Sequence, residues 1–380
     1  MKPQNFRAGA AGRHVLARKD LDALIPVLSR RGYQVVGPTV RDGAIIYDRV
    51  ASLDDLPAGW GDDQEAARYR LRRRSDEALF GYASSTQSWK RFLHPPDQHL
   101  SAISREGEGL GVSHDTSEPH AVAFLGVRPC DLRAIAILDR IFIEDRFADS
   151  GYRERRGRSF IVAVNCGDPS ATCFCASMGT GPGAEKGYDL LLTEILEGGH
   201  RFLAQAGTPA GEEVLSELGA AAAKAADGEA EERILSRARD SMRRSVQMEG
   251  IKDVLYAASE HPRWQEVAGR CLACANCTLA CPTCFCTTVD DTSDVGVQSA
   301  ERRRRWDSCF TLGFSYIHGG SIRNSVSARY RQWLTHKLGS WQDQFGSPGC
   351  VGCGRCITWC PAGIDITEEA RAIRGGPREE

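Results

Sequence analysis

A chain of 380 residues, 42% of them hydrophobic, has material for two or three domains with buried cores. Its 48 basic and 50 acidic side chains leave a formal net charge of −2, which gives no general reason to expect a nucleic acid or an acidic membrane surface as partner. No run approaches the ~18–20 apolar residues of a membrane span, and residues 1–20 carry positive charge without the apolar segment of a secretory signal, so the chain reads as cytoplasmic.

In chain order, Asp20-Leu21-Asp22-Ala23-Leu24-Ile25 opens a short helix with Asp20 or Asp22 as N-cap. The β-rich runs Gln34-Val35-Val36 and Ala44-Ile45-Ile46-Tyr47 flank Arg41-Asp42-Gly43, a hairpin turn. Residues 52–118 are polar and carry little pattern. Residues 121–127 and 160–164 read as buried strands, and residues 131–142 between them place Leu132, Ile135, Leu138 and Phe142 on one helical stripe. That is a βαβ unit, so the two strands are expected to be parallel neighbours. Residues 188–193 suit a third strand. Residues 212–258 read as mostly helical, with 220–226 as an exposed helix. Val326, Tyr330, Trp333, Leu334, Leu338 and Trp341 form one amphipathic face, which is expected to be core.

The fifteen cysteines carry the chemistry. An odd number in tight spacings argues against a disulfide framework. Four lie before residue 200 and eleven after residue 270. Cys271-x2-Cys274-x2-Cys277-x3-Cys281-Pro282 and Cys350-x2-Cys353-x2-Cys356-x3-Cys360-Pro361 both have the spacing of bacterial ferredoxins. Three cysteines two residues apart wrap three corners of a cubane, and the fourth, beside proline, serves the other cluster. Cys271, Cys274, Cys277 and Cys360 are thus expected to hold one [4Fe-4S] cluster, and Cys350, Cys353, Cys356 and Cys281 the other. Zinc sites use separated Cys-x2-Cys pairs, which this pattern does not match. The 68 residues 282–349 between the runs read as helices.

The expected architecture is an α/β N-terminal domain with a partly parallel sheet (1–211), a helical connector (212–260) and an α-helical ferredoxin domain with two [4Fe-4S] clusters (261–380). Cys130 and Cys166 follow parallel strands and should emerge at one sheet edge, where open α/β sheets build sites. With Cys173 and Cys175 they can converge on a third metal, iron–sulfur ahead of zinc, or be small buried core residues. Thr283-Cys284-Phe285-Cys286 repeats Thr172-Cys173-Phe174-Cys175, and with Cys309 it reads as packing near the clusters. Gly179-Thr180-Gly181-Pro182-Gly183 lacks the strand–glycine–helix context of a dinucleotide site. Residues 302–305, four arginines, read as a solvated or partner-facing charge run.

Several stretches resemble one family: Gly126-Val127-Arg128-Pro129-Cys130-Asp131, Asn165-Cys166, 173–181, 281–286, Trp306-Asp307-Ser308-Cys309-Phe310, 329–337 and the Cys350 to Cys360 run. The family is the iron–sulfur β subunit of cytoplasmic sulfhydrogenases, which is similar to the iron–sulfur subunit of anaerobic sulfite reductase. The resemblance covers roughly residues 20–367. It implies partnership with a flavin and NAD(P)-binding diaphorase subunit, and with nickel–iron hydrogenase subunits or a sirohaem sulfite reductase subunit. The function it implies is a relay of electrons through [4Fe-4S] clusters, without a catalytic residue of the chain's own. Two competing readings are a free-standing iron–sulfur reductase, with chemistry at a third cluster or bound flavin, and a binding protein stapled by metals.

Overall fold

The structure is a computed structural model that describes residues 12–84, 86–107, 109–114, 119–144, 146–296 and 298–375. Residues 1–11, part of the N-terminal stretch read above for a signal, lie outside the described residues. The strands are β1 (His14–Ala17), β2 (Gln34–Arg41), β3 (Ala44–Arg49), β4 (Trp60–Glu65), β5 (Arg68–Arg73), β6 (Asp97–Glu106), β7 (Gly109–His114), β8 (Val122–Val127), β9 (Ser159–Val164), β10 (Leu190–Ile195), β11 (Arg201–Ala206), β12 (Ala221–Ala222), β13 (Thr287–Ser293), β14 (Ser299–Trp306) and the short pair β15 (Tyr316–Ile317) and β16 (Gly320–Ser321).

The main sheet has the order β12-β1-β11-β10-β9-β8-β2-β3. Its centre, β2-β8-β9-β10, is parallel, and the outer pairings are antiparallel. The βαβ expectation holds: the helix Pro129–Asp139 joins β8 to the parallel β9. These strands are near-continuous apolar runs because both faces are covered. On β9, Phe160, Val162 and Val164 enter one core, while Ile161 and Ala163 enter the other. The third strand is β10, and the turn at Asp42 and Gly43, both at positive φ, closes the β2–β3 hairpin.

Gly126 breaks the β8 register between Leu125 and Val127. Its φ is +92°, and a Cβ there would meet Phe80 Cε1 at 3.1 Å. The kink turns the chain from strand into Arg128-Pro129-Cys130, so the first cysteine opens the following helix at the C-terminal edge of the sheet.

Several expectations change. Neither Asp20 nor Asp22 caps a helix; a 3₁₀ turn at Asp20–Ala23 leads into the helix Leu24–Arg30 with no side-chain cap, and Asp22 pairs with Arg18 instead. Ala221–Ala222 is a short strand against β1, and the helix begins only at Ala225. The expected connector holds most of the helix Pro209–Glu217, which crosses the expected boundary at 211, and the helices Ala225–Ser241 and Ile251–Ala257, with residues 242–250 non-helical between the last two. Residues 52–118 hold β4–β5 and β6–β7.

The region between the cysteine runs is not all helix. β13 and β14 form a hairpin there and join β6 and β7 in the sheet β13-β14-β6-β7. The rest of that region carries the expected amphipathic segment, Val326–Thr335 continuing through His336–Ser340 to Trp341–Phe345. Tyr330, Trp333, Leu334, Leu338 and Trp341 are buried, as the stripe requires. No helix among the described residues is long and apolar enough to cross a membrane.

Candidate iron–sulfur centres

The two cysteine runs fold alike. The second residue after the first cysteine, and the fourth, sit in the left-handed region in both: Ala273 (φ 51°) and Ala275 (φ 66°) in the first run, Gly352 (φ 65°) and Gly354 (φ 75°) in the second. Two left-handed residues in a short span curl the loop so that its thiols face inward. Each run then closes on one helical turn, Asn276–Leu279 or Arg355–Thr358. Backbone N–H groups point at the sulfurs: Ala273 N donates to Cys271 Sγ, Gly352 N to Cys350 Sγ and Ile364 N to Cys360 Sγ, each at 3.4 Å. Hydrogen bonds to ligand sulfurs are among the levers that set cluster potential.

The glycines of the second run have a second reason. A Cβ at Gly352 would lie 2.6 Å from Cys175 N, and one at Gly354 would lie 2.5 Å from Thr172 O. The 172–175 segment therefore lies directly on the second run, fastened by Phe174 N–H to Gly352 O at 2.8 Å. The first run carries alanine at both matching positions.

Cys271, Cys274, Cys277, Cys356 and Cys360 line one cavity together with Phe310, Tyr330 and Trp333. Burial raises the Cys277 thiol well above its ordinary range, and Cys309, Cys271, Cys360 and Cys274 add to the effect. The last cysteine of the second run is thus a neighbour of the first. Reciprocally, Cys356 is raised by burial and then by Cys350, Cys353 and Cys281. Burial also pushes Cys350 up to about 12. Bare thiols at Cys277, Cys350 and Cys356 stay protonated in such surroundings, and a bound metal converts them to thiolates; Cys281 is instead held well below the ordinary thiol range, first by a hydrogen bond from Cys284 and then by Lys337.

Cys130, Cys166, Cys173 and Cys175 are all buried. Cys175 is the hub: its ionisation is opposed by burial and then by Cys173, Cys166 and Cys353. Cys130 feels Cys175 and Cys353, and burial with Cys166 nearby pushes Cys173 up to about 12. Arg128 is 1% exposed, and its guanidinium bonds only carbonyls, those of Asn165 (3.2 Å), Phe80 (2.7 Å) and Tyr82. Its Nε is buried without a partner, and Cys166 is the ionisable group that acts on it most. A buried cation with no carboxylate among its hydrogen-bond partners fits a neighbouring anionic metal–sulfur centre.

The three other cysteines lie beside the ferredoxin runs. Cys284 shares Lys337 with Cys281, Cys286 accepts from the Cys309 backbone, and Cys309 neighbours Cys277. Among the described residues, no three Cys, His, Asp or Glu side chains close on a single-ion site.

One element gave no sign in the sequence. Arg355, between two cysteines of the second run, pairs bidentately with Asp131, next to Cys130, with both bonds at 2.9 Å and exposures of 0% and 1%. It locks the βαβ unit to the second run. The arginines of 302–305 are tied across strands: Arg302 to Asp291 at 2.7 Å, Arg303 to Asp97 at 3.0 Å and Arg304 to Asp149.

Paired ferredoxin-type runs, the second of them seated on an α/β unit, define an iron–sulfur electron-transfer protein. Residues 270–364 match the family described as a 4Fe-4S dicluster domain. The chain is 34% identical over 333 residues to the sulfhydrogenase 2 subunit beta of Pyrococcus furiosus, covering 85% of this chain and 94% of that one. It belongs to the sulfhydrogenase β-subunit family.

Proposed function

We propose that this chain relays single electrons from or to a flavin and NAD(P)-binding subunit, with a metal-centred catalytic partner at the other end, either nickel–iron hydrogenase or sirohaem sulfite reductase. In this reading two [4Fe-4S] clusters have crossed ligands: an outer one on Cys271, Cys274, Cys277 and Cys360, and an inner one on Cys350, Cys353, Cys356 and Cys281. A third, on Cys130, Cys166, Cys173 and Cys175, continues the line into the α/β unit. Bound clusters supply one-electron chemistry, and a two-electron nicotinamide carrier needs a flavin to feed them.

The observation that carries the reading is the exchange of last cysteines between runs. Cys360 neighbours Cys271 and Cys277, while Cys281 neighbours Cys350 and Cys356. Cys274 is the one exposed cysteine of the fifteen, which gives the outer cluster a route to the surface. Cys353, next to Cys175 and Cys130, spans the step from the inner set to the third. Arg128 supports an anionic group at that third set.

The test uses the chain with clusters reconstituted anaerobically. About eight to twelve iron atoms per chain are expected. Dithionite should bleach the clusters, and NADH or NADPH should bleach them only after a flavoprotein is added. Rapid bleaching by nicotinamide alone would reveal a hydride-accepting site in this chain and end the relay reading.

A further inference from the structure

Lys337 is 4% exposed, in the π-helical turn His336–Ser340. Its ammonium donates to Cys281 Sγ at 3.4 Å, Cys284 Sγ at 3.2 Å and Thr283 Oγ1 at 2.9 Å. Three acceptors match the three donors of an ammonium, so the group is held as a cation. Its partners include no carboxylate. The ionisable groups that act on it most are Cys281, Cys284 and Cys350.

A second ammonium stands beside it. Lys90 is 3% exposed, donates to the Cys284 carbonyl at 2.9 Å and lies 3.8 Å over the Trp306 ring. Cys284, Cys281 and Cys286 are the anionisable groups nearest in effect. Two buried ammonium groups with no carboxylate among their hydrogen-bond partners carry a large desolvation cost unless an anion lies close by, and the anionisable groups acting on both are cysteine thiols.

We infer that Lys337, seconded by Lys90, is a positioning charge that acts through Cys281 to raise the reduction potential of the inner cluster. The proposal rests on Cys281 being a ligand of that cluster. One-electron reduction adds a negative charge to the cluster and breaks no bond. A fixed cation 3.4 Å from a ligand sulfur stabilises the reduced form more than the oxidised one. The direction follows from Coulomb's law, and the low-dielectric surroundings enlarge it. A sulfur hydrogen bond from a charged donor acts in the same sense.

The experiment is a potentiometric titration of the anaerobic, cluster-loaded chain, with one-electron mediators and electron paramagnetic resonance read-out of each cluster. Lys337→Gln keeps a donor and removes the charge. The inner cluster's reduced-to-oxidised ratio at fixed potential should fall at least tenfold, ~59 mV for one electron, with the outer cluster unchanged. Lys337→Arg should restore most of the shift. An inner-cluster potential within twofold of the parent in the fully loaded Gln variant overturns the proposal. If the Gln variant comes without its inner cluster, Lys90→Gln takes its place: a smaller shift of the same sign supports the proposal, and no shift overturns it. Cys281→Ala separates this from failure of the ligand reading, because an inner cluster that survives there shows that Cys281 is no ligand.

Discussion

Replacing Gly352 by alanine tests whether the second cysteine run and the 172–175 segment form one rigid site. An alanine at φ 65° costs about 1–2 kcal/mol for the left-handed conformation. Its Cβ would lie 2.6 Å from Cys175 N and 2.7 Å from Cys175 Cα, both backbone atoms, so the segment must move by about 1 Å. Over-packing of this kind costs about 1–3 kcal/mol. The shift also weakens the Phe174 N–H to Gly352 O bond, a further ~0.5–1.5 kcal/mol. Together these come to roughly 2.5–6.5 kcal/mol, a large part of a domain's ~5–15 kcal/mol. Ala273→Gly, at the matching place in the first run, should stay within about 0.5 kcal/mol, because relieved strain and lost chain restriction offset each other there. The assay is the guanidinium midpoint of the anaerobic holoprotein, together with iron per chain. Gly352→Ala should lower both, with loss confined to the inner and third sets. A Gly352→Ala chain that loads fully and unfolds like the parent would refute the argument that close backbone approach selects glycine here.

Other outcomes follow from the same geometry. Cys360→Ala should abolish the resonance of the cluster shared with Cys271, Cys274 and Cys277 and remove about four irons, whereas Cys281→Ala should abolish the other; loss of the neighbouring cluster in each case would reverse the ligand assignment. Asp131→Asn strands the Arg355 charge at 0% exposure and should cost about 3–5 kcal/mol, while Asp131→Leu with Arg355→Met should cost less; a double variant no better than the single one, by urea midpoint, would contradict this. His94, buried with both ring nitrogens unpartnered, has its pKa lowered to about 3, first by burial and then by Arg304 and Lys90. The folded value lies below the unfolded ~6.5, so this contribution is present above pH 6.5 and is lost as pH falls toward 3. From pH 7 to pH 5 the loss is about 2 kcal/mol. His94→Phe should flatten that part of the stability profile, and an unchanged acid slope in the variant would locate the effect elsewhere.

What was legible in the sequence was the part written at short range. Ferredoxin spacing is a statement about one loop around one cluster, and β8 and β9 are apolar runs too dense for anything but a covered sheet. What was not legible depends on partners far along the chain. β14 reads Ser299-Ala300-Glu301-Arg302-Arg303-Arg304-Arg305-Trp306 and shows no apolar alternation, so it looked like a solvated charge run. It is a strand because Asp291, Asp97 and Asp149 neutralise three of its arginines from across the sheet and beyond it. The β6–β7 hairpin was hidden for the same reason, with Leu110 and Val112 left exposed. Asp131 and Arg355 are 224 residues apart, and nothing local marks either as half of a buried pair.

Of the cations buried beside the cysteines, Arg355, Arg128 and Lys337 are held in different ways, and the difference separates structure from function. Arg355 has a carboxylate, Asp131, at 2.9 Å in two bonds; its charge is balanced whatever the cysteines hold. Arg128 and Lys337 have no carboxylate among their hydrogen-bond partners, only carbonyls in one case and sulfurs with a hydroxyl in the other. Burying an unbalanced cation costs several kcal/mol, which a small set of neutral hydrogen bonds offsets only in part. At both places sulfur supplies the nearest countercharge, Cys166 beside Arg128 and Cys281 beside Lys337. An anionic cluster at either place would be balanced by the cation beside it, so removing the charge at Arg128 or Lys337 should lower iron per chain in the anaerobically loaded protein, and full loading of both variants would contradict this. A core built only to pack would place Leu or Met at both positions.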